Sequence, residues 1–96
     1  MAFQGFSGSL SLHCGHVRYI GRFAFQDCRN LNTLDFSDMD IGEGFIPVLA
    51  SPEAFMLQDR KTFVNDSFRI LVPDSLYDKW TQAINWVALK NHITGV

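Results

Sequence analysis

The apolar positions between residues 20 and 36 predict a short helical turn followed by a strand. The first five apolar residues are separated by gaps of four, one, three and three, a spacing that places them on one side of a helical turn. The later gap of two, from Leu34 to Phe36, is that of a strand whose alternate residues point inward. We therefore expect this unit to place seven residues in the core: Ile20, Ala24, Phe25, Cys28, Leu31, Leu34 and Phe36.

A similar unit begins 22 residues earlier in the chain. The matched pairs are Ala2-Phe3-Gln4 with Ala24-Phe25-Gln26, Leu12 with Leu34, and Cys14 with Phe36. A turn of helix and a strand repeated at this period form the unit of a solenoid, in which consecutive coils of chain stack on each other. We therefore expect Cys14 to point into the core, as Phe36 does.

The third unit follows the same order with longer gaps. A further Ala-Phe pair occurs at Ala54-Phe55, which is 30 residues after Ala24-Phe25. The segment FRILVP then predicts a strand with Phe68, Ile70 and Val72 on one face. The charged segment MLQDRKTFVND lies between these features, and we expect it to be a loop.

After Pro73 the spacing changes to that of two short helices. Leu76, Trp80 and Ile84 recur every four positions and are expected to form one apolar stripe. Ser75, followed three residues later by Asp78, resembles a capping box at the start of this helix.

The second helix is expected to begin at Asn85 as its N-cap and to end at Gly95. Its apolar residues Trp86, Leu89 and Ile93 recur at spacings of three and four. Two helices in this place would cover the last open edge of the solenoid. The chain is thus interpreted as a single domain over residues 1–96, with degenerate repeats in 1–72 and a helical cap in 73–96.

The segment IGRFAFQDCRNLNTLDF resembles the BspA-type leucine-rich repeat. The matching positions are Ile20, Gly21, Ala24, Phe25, Cys28, Leu31 and Leu34. The segment ILVPDSLYDKWTQAINWVALKNHI is similar to the C-terminal part that often closes such arrays, with matches at Val72-Pro73, Leu76, Trp80, Asn85-Trp86 and Ile93. The resemblance covers residues 17–93 and implies an α/β repeat fold, a short leucine-rich-repeat-like solenoid of about three turns capped by two C-terminal helices.

The resemblance also implies a class of function. Members of this family occur on bacterial and protist surfaces and among bacteriophage structural proteins, where they bind proteins or build particles. We therefore expect a non-enzymatic protein-interaction or assembly module, a component of a larger particle such as a bacteriophage virion. A cell-surface module for adhesion or ligand binding is the alternative, and both place the protein in a virion or at a cell surface.

The composition limits the partners. A chain of 96 residues with 47% hydrophobic and 19% charged residues is typical of one globular domain. Its net charge of −2 and the lack of a basic stripe argue against nucleic acid as a partner. No apolar run approaches the roughly 20 residues of a membrane span, and the start MAFQGFSGSL lacks the basic and apolar regions of a signal peptide.

The stretch His13-Cys14-Gly15-His16 raises the possibility of metal or thiol chemistry. Zinc requires four converging ligands, whereas adjacent residues on a strand project to opposite faces. The further donors Cys28 and His92 do not have metal-finger spacing. We therefore expect a buried structural cysteine, solvent-facing histidines, no metal and no cofactor. A metal-dependent or thiol-dependent enzyme is the alternative, and the pairing of Cys14 with Cys28 stays open.

Two further clusters have a structural and a chemical interpretation. The acidic residues Asp35, Asp38, Asp40 and Glu43 fit a solvated loop or a cation site, without EF-hand spacing, and we expect the loop. Trp80 and Trp86 fit core packing of the cap or a stacking platform, and we expect packing with the indole N–H groups near a polar rim. The segment GFSGSLS lacks the strand-to-helix context of a nucleophile elbow, and we identify no catalytic residue.

The N-terminal end begins in the middle of a repeat unit, with Phe3 and Phe6 as apolar residues. The end coils of a solenoid require a cover. We therefore expect Phe3 and Phe6 to contact a protein partner, a second copy of the chain or an upstream region.

Overall fold

A computed structural model describes residues 10–39 and 44–96 of the chain, and Phe3, Phe6, Asp40 and Glu43 lie outside these residues. The described residues form short strands, 3₁₀ helices and one α-helix. The strands are β1 (Leu10–His13), β2 (Tyr19–Ile20), β3 (Leu31–Asp35), β4 (Val48–Leu49), β5 (Arg69–Val72) and β6 (Ile93–Gly95). The helices are α1 (Tyr77–Thr81) and the 3₁₀ helices Pro52–Phe55, Asp74–Leu76 and Trp86–His92.

The first sheet is parallel throughout, and its strands lie in the order β1-β3-β5-β6. Leu12 pairs with Leu34, Leu34 with Ile70, and Ile70 with Ile93. These four residues form the aliphatic column. Since parallel neighbours cannot be joined by a tight turn, the chain crosses the molecule between consecutive strands.

The second sheet consists of β2 and β4, which are also parallel. Ile20 pairs with Leu49, and both side chains are buried against the core. Tyr19 pairs with Val48, and these side chains point to solvent. The sequence pattern did not predict this sheet, because strands of two residues are too short to show an alternating period.

A row of stacked rings, the aromatic stack, crosses the core from one coil to the next. Phe25 stacks on Phe55 with ring centroids 5.5 Å apart, and Phe55 stacks on Phe68 at 5.3 Å. Phe68 then stacks on His92 at 4.0 Å, and the main-chain carbonyl of Phe68 lies 2.9 Å from His92 Nδ1. Such ring pairs stabilise a fold by about 0.5–1.5 kcal/mol each beyond the area they bury.

The segment 21–28, for which the pattern predicts a helical turn, consists of consecutive hydrogen-bonded turns. The N–H groups of Ala24 and Cys28 donate to the carbonyls three residues before them. The N–H of Phe25 instead donates to Ala54 in the next coil, at 3.0 Å. Because this backbone group bonds between coils, the segment does not continue as a regular α-helix.

The charged segment between Ala54-Phe55 and the strand of the third unit is a compact turn. Met56 and Phe63 form an antiparallel bridge, and the N–H of Leu57 donates to the carbonyl of Thr62. The side chain and main chain of Thr62, together with the N–H of Lys61, donate to the carboxylate of Asp59 and lower its pKa to about 2.

The first predicted helix is shorter than the apolar spacing indicates. It ends at Thr81, so the prediction that Ile84 continues its buried stripe is wrong, and Ile84 is 85% exposed. Leu76 and Trp80 are buried as predicted. The predicted capping box at Ser75 is also wrong, because Ser75 lies inside the 3₁₀ helix that precedes α1.

Asn85 and Trp86 close the outer edge of β4 with their side chains. The amide Nδ2 of Asn85 donates to the carbonyl of Leu49 at 2.6 Å, and the indole Nε1 of Trp86 donates to that of Pro47 at 2.7 Å. Asn85 is the N-cap of the following 3₁₀ helix, as predicted, but it makes no side-chain capping bond there and has a φ of 70°. The left-handed backbone aims its amide at β4.

The prediction that Gly95 ends a helix is wrong. Gly95 belongs to β6, and a Cβ at this position would lie 2.6 Å from Oδ1 of Asp74. A side chain here would displace the carboxylate of Asp74 and would also crowd its Cα, which would lie 3.3 Å from the added Cβ. The last strand of the sheet is therefore fixed against the 3₁₀ helix that follows β5.

Asn85 allows its hydrogen bond and its backbone conformation to be tested separately. Asn85→Gly removes the amide but tolerates positive φ, so we expect a loss of about 1 kcal/mol in the free energy of unfolding. Asn85→Ala also adds strain in the left-handed region, and we expect about 1 kcal/mol more. Urea denaturation of both variants measures the difference, and equal stability of Asn85→Ala and wild type would contradict this account of the β4 edge.

Candidate protein-binding surface

The residues of the HCGH stretch point in different directions. Cys14 is buried, and its Sγ lies 3.7 Å from the carbonyl of Leu12. His13 is exposed on the other face of the first sheet, where its Nδ1 lies 3.5 Å from Oδ2 of Asp35. His16 is exposed in the turn that follows. Across 10–39 and 44–96, no cluster of three His, Cys, Asp or Glu side chains could hold a metal ion.

Both cysteines are buried free thiols. Burial raises the pKa of Cys14 to about 11, and the nearby carboxylates of Asp35 and Asp38 add to this effect. Cys14 is therefore almost entirely the neutral thiol at pH 7, which is a poor nucleophile and a poor metal ligand.

Asp35 uses its carboxylate to fix its own turn. The hydroxyl and the N–H of Ser37 donate to Oδ1 of Asp35 at 2.6 and 2.8 Å. These bonds, with a smaller contribution from His13, lower the pKa of Asp35. Of the four acidic residues considered as a cation site, Asp35 and Asp38 are described, and one carboxylate oxygen of Asp35 is already occupied by Ser37.

The two tryptophans are buried in the core. The ring of Trp80 lies 4.9 Å from that of Phe36 and 5.4 Å from that of Trp86, measured between centroids. Neither indole is accessible for stacking on a ligand. The prediction that both N–H groups lie near a polar rim is wrong, since Nε1 of Trp80 is buried with no acceptor among the described residues and that of Trp86 donates to Pro47.

The other residues predicted to form the core also lie inside the molecule. Ala24 is partly buried and packs against the core. The buried ones are Cys14, Ile20, Phe25, Cys28, Leu31, Leu34 and Phe36.

Three large apolar side chains form an exposed apolar row, two on the outside of the second sheet and one, Ile84, beside it. Tyr19 is 64% exposed and Val48 is 53% exposed, and the two are neighbours in the β2–β4 register. Val48 and Ile84 line the same groove. Each of the three consecutive coils therefore contributes one residue to the apolar row.

The groove beside the apolar row has a volume of about 380 Å³ and no charged residue in its lining. Its lining includes Pro47 and Val48 from the β4 segment and Ala83 and Ile84 from the segment after α1. Asn85 and Trp86 close its floor, because their side chains bond to the β4 segment. Contiguous apolar surface of this kind marks a site of contact with other molecules more often than isolated exposed residues do.

A second hollow of about 300 Å³ lies beside the turn after β1. Its walls carry side chains of opposite charge, Arg18 and Asp38, together with His16. The guanidinium of Arg18 lies 4.9 Å from the centre of the Phe45 ring. Since the charges of this hollow oppose one another and Arg18 packs on an aromatic ring, it is a weaker candidate than the apolar row.

Sequence reasoning missed the apolar row. It placed Ile84 in the core and did not single out Tyr19 or Val48. The direction of these two side chains follows from the pairing of β2 with β4, and the hydrophobic character of the residues gives no hint of exposure.

Comparison of the chain with protein-family models, with curated proteins and with solved structures gives no match. Among the described residues, the helices are too short and too polar to cross a membrane.

The buried state of the thiols predicts slow chemical modification. With a pKa of about 11, Cys14 has a thiolate fraction of about one part in a thousand at pH 8, against about a quarter for an exposed thiol. We expect both cysteines to react with iodoacetamide at least 100-fold more slowly in the folded protein than in urea, because burial also limits access. Mass spectrometry of timed samples measures the rates, and one rapidly modified cysteine in the folded chain would support a nucleophile instead.

Proposed function

We propose that the chain is a short BspA-like, leucine-rich-repeat-like solenoid that serves as a non-enzymatic protein-interaction module within a larger assembly, such as a virion. The apolar row is the observation that carries this proposal. Tyr19, Val48 and Ile84 offer a contiguous contact surface to an apolar patch of a protein partner. Interface cores are depleted of charge and enriched in aromatic and apolar side chains, which matches this surface.

The free energy gained by burying the apolar row is of the size expected for the central residues of a protein interface. Complete burial of a large apolar side chain is worth about 1.5–3 kcal/mol. The three exposed side chains of the apolar row therefore offer on the order of 3–6 kcal/mol before the cost of association. A few such residues at the centre of an interface commonly supply most of its affinity.

The chemistry of the HCGH stretch is consistent with a non-enzymatic role. The Cys14 thiol is buried and neutral at pH 7, and His13 lies on the opposite face of the sheet. A nucleophilic cysteine needs a base within hydrogen-bond reach. This geometry therefore supports binding over catalysis.

Adhesion at a cell surface is the second candidate, and Tyr19 is the observation that favours it. Its ring is more than half exposed and lies beside Val48 in the second sheet. An exposed aromatic ring offers a flat apolar face together with a hydroxyl, which suits a glycan ligand.

Phe3 and Phe6 stay in the proposal as further contact residues for a protein partner or a second copy.

Photo-cross-linking tests the contact directly. Benzoylphenylalanine in place of Val48 should cross-link one partner protein in an extract of the cells that produce this chain, because the side chain would lie inside the interface. Excess unlabelled wild-type protein should compete away the product. The double variant Val48→Ser/Ile84→Ser should compete much less, with a loss of roughly 100-fold in affinity for about 3 kcal/mol of apolar contact.

The control is the double variant Arg69→Ser/Lys90→Ser, which changes two exposed residues away from the apolar row and should compete as well as wild type. Equal competition by both double variants would contradict the proposed surface. Cross-linking that glycans abolish and proteins do not would favour adhesion. Urea unfolding should show both variants near wild-type stability, since all four positions are exposed.

A further inference from the structure

Strand β1 has an unpaired outer edge within the described residues. In a parallel ladder, alternate residues of a strand direct their backbone groups to the same neighbour. The N–H of Cys14 donates to the carbonyl of Asp35 at 2.7 Å, and His13 is the register partner of Asp35. Leu12 and Cys14 therefore face β3 with their backbone groups, whereas Ser11 and His13 direct their N–H and C=O groups away from it.

The aliphatic column shows that the position beside this edge is incompletely covered. Leu34 and Ile70 have strands on both sides and are 0% exposed, whereas Leu12 has a strand on one side and is partly buried. The edge thus offers unpaired hydrogen-bonding groups together with an apolar side chain. An edge of this kind is a template for pairing with another strand.

The opposite end of the molecule uses several of its outward backbone groups within the chain. In β6 the N–H of Ile93, which points away from β5, donates to the carbonyl of Lys90 in the same chain. Asn85 and Trp86 occupy the outer carbonyls of the β4 segment. A head-to-tail stack of copies would need both ends open, so the arrangement favours a contact between two identical ends.

We propose that β1 pairs with β1 of a second copy of this chain, in antiparallel orientation about a two-fold axis that passes by Leu12. Ser11 of each copy then exchanges two hydrogen bonds with His13 of the other, and the two four-stranded sheets join into one of eight strands. The Leu12 residues meet at the position between these bonds, where Cα atoms of opposing strands lie about 4.5 Å apart.

Two properties of this edge favour pairing with a second copy: the charges that would meet, and the fact that the pairing occupies the open edge of both copies. His13 lies opposite Ser11 of the other copy, and its imidazole is already beside Asp35 of its own chain, so no like charges meet. Each Leu12 gains the neighbour that Leu34 and Ile70 have within one chain. An isologous contact also uses up the open edge of both copies, which limits the assembly to a dimer. The contact involves the first sheet and is independent of the apolar row.

A pair of substitutions at His13 tests the hydrogen bonds of the edge. Light scattering from micromolar to millimolar concentration should show wild type rising toward twice its chain mass of 10.9 kDa. His13→Pro removes an outward N–H that β3 does not use, and this variant should stay monomeric. His13→Ala keeps the N–H and should dimerise as wild type does. Circular dichroism checks that both variants are folded.

Disulfide trapping tests the register without dependence on the proline variant. Leu12→Cys should oxidise to a covalent dimer, since opposing residues at this position meet the Cα separation that a disulfide requires. Ser11→Cys should not, because the two Ser11 residues lie diagonally across the axis. Cys14 and Cys28 are buried and provide no background.

Three results would overturn the proposal. Wild type that stays monomeric, with no trapping of Leu12→Cys, would mean that residues 1–9 of the same chain or no strand covers the edge. A dimer that His13→Pro leaves intact would use another surface. A dimer that Val48→Ser/Ile84→Ser dissociates would place the contact on the apolar row, and this outcome would leave the proposed function standing while the edge pairing fails.

Discussion

The parallel register between consecutive strands is the constraint on which the rest of this structure depends. Each strand of the first sheet must bring an aliphatic side chain to the same place, so that Leu12, Leu34, Ile70 and Ile93 stack in one column. Leu12 and Leu34 are 22 residues apart in the sequence, whereas Leu34 and Ile70 are 36 residues apart. Connections of different length are tolerated because only the strand positions are fixed, and the extra residues form turns outside the column.

Strands β1 and β4 each have an outer edge without a neighbouring strand among the described residues, and these two edges differ. Backbone groups that a missing coil would satisfy must be bonded in another way or face water. At the C-terminal end, Asn85 adopts a left-handed backbone, which costs an ordinary residue about 1 kcal/mol or more, and its amide replaces a strand. Strand β1 has no such replacement among the described residues, and this asymmetry is what points to a partner at that edge.

The sequence was informative wherever a residue's direction follows from periodicity within its own segment. The gap of two in Phe68, Ile70 and Val72 correctly predicted one buried face of a strand, and the same gap placed Leu34 and Phe36 inward. The pattern failed where direction depends on pairing with a distant strand. Ile84 lies four residues after Trp80, but helix α1 ends at Thr81. The spacing therefore does not place Ile84 on the buried side of a helix.

The apolar row follows from no requirement of folding. Tyr19 and Val48 face solvent from the outside of the second sheet, so polar side chains there would leave the register of β2 and β4 and the buried pair Ile20 and Leu49 unchanged. Three apolar side chains on neighbouring coils instead add a contiguous patch that favours nonspecific association. Burial of the patch in a contact with another molecule would prevent this nonspecific association. It would also stabilise the complex by the transfer free energy of the buried apolar atoms. The stability of the fold therefore does not require the apolar row, and this is why its exposure supports the proposed contact with a partner.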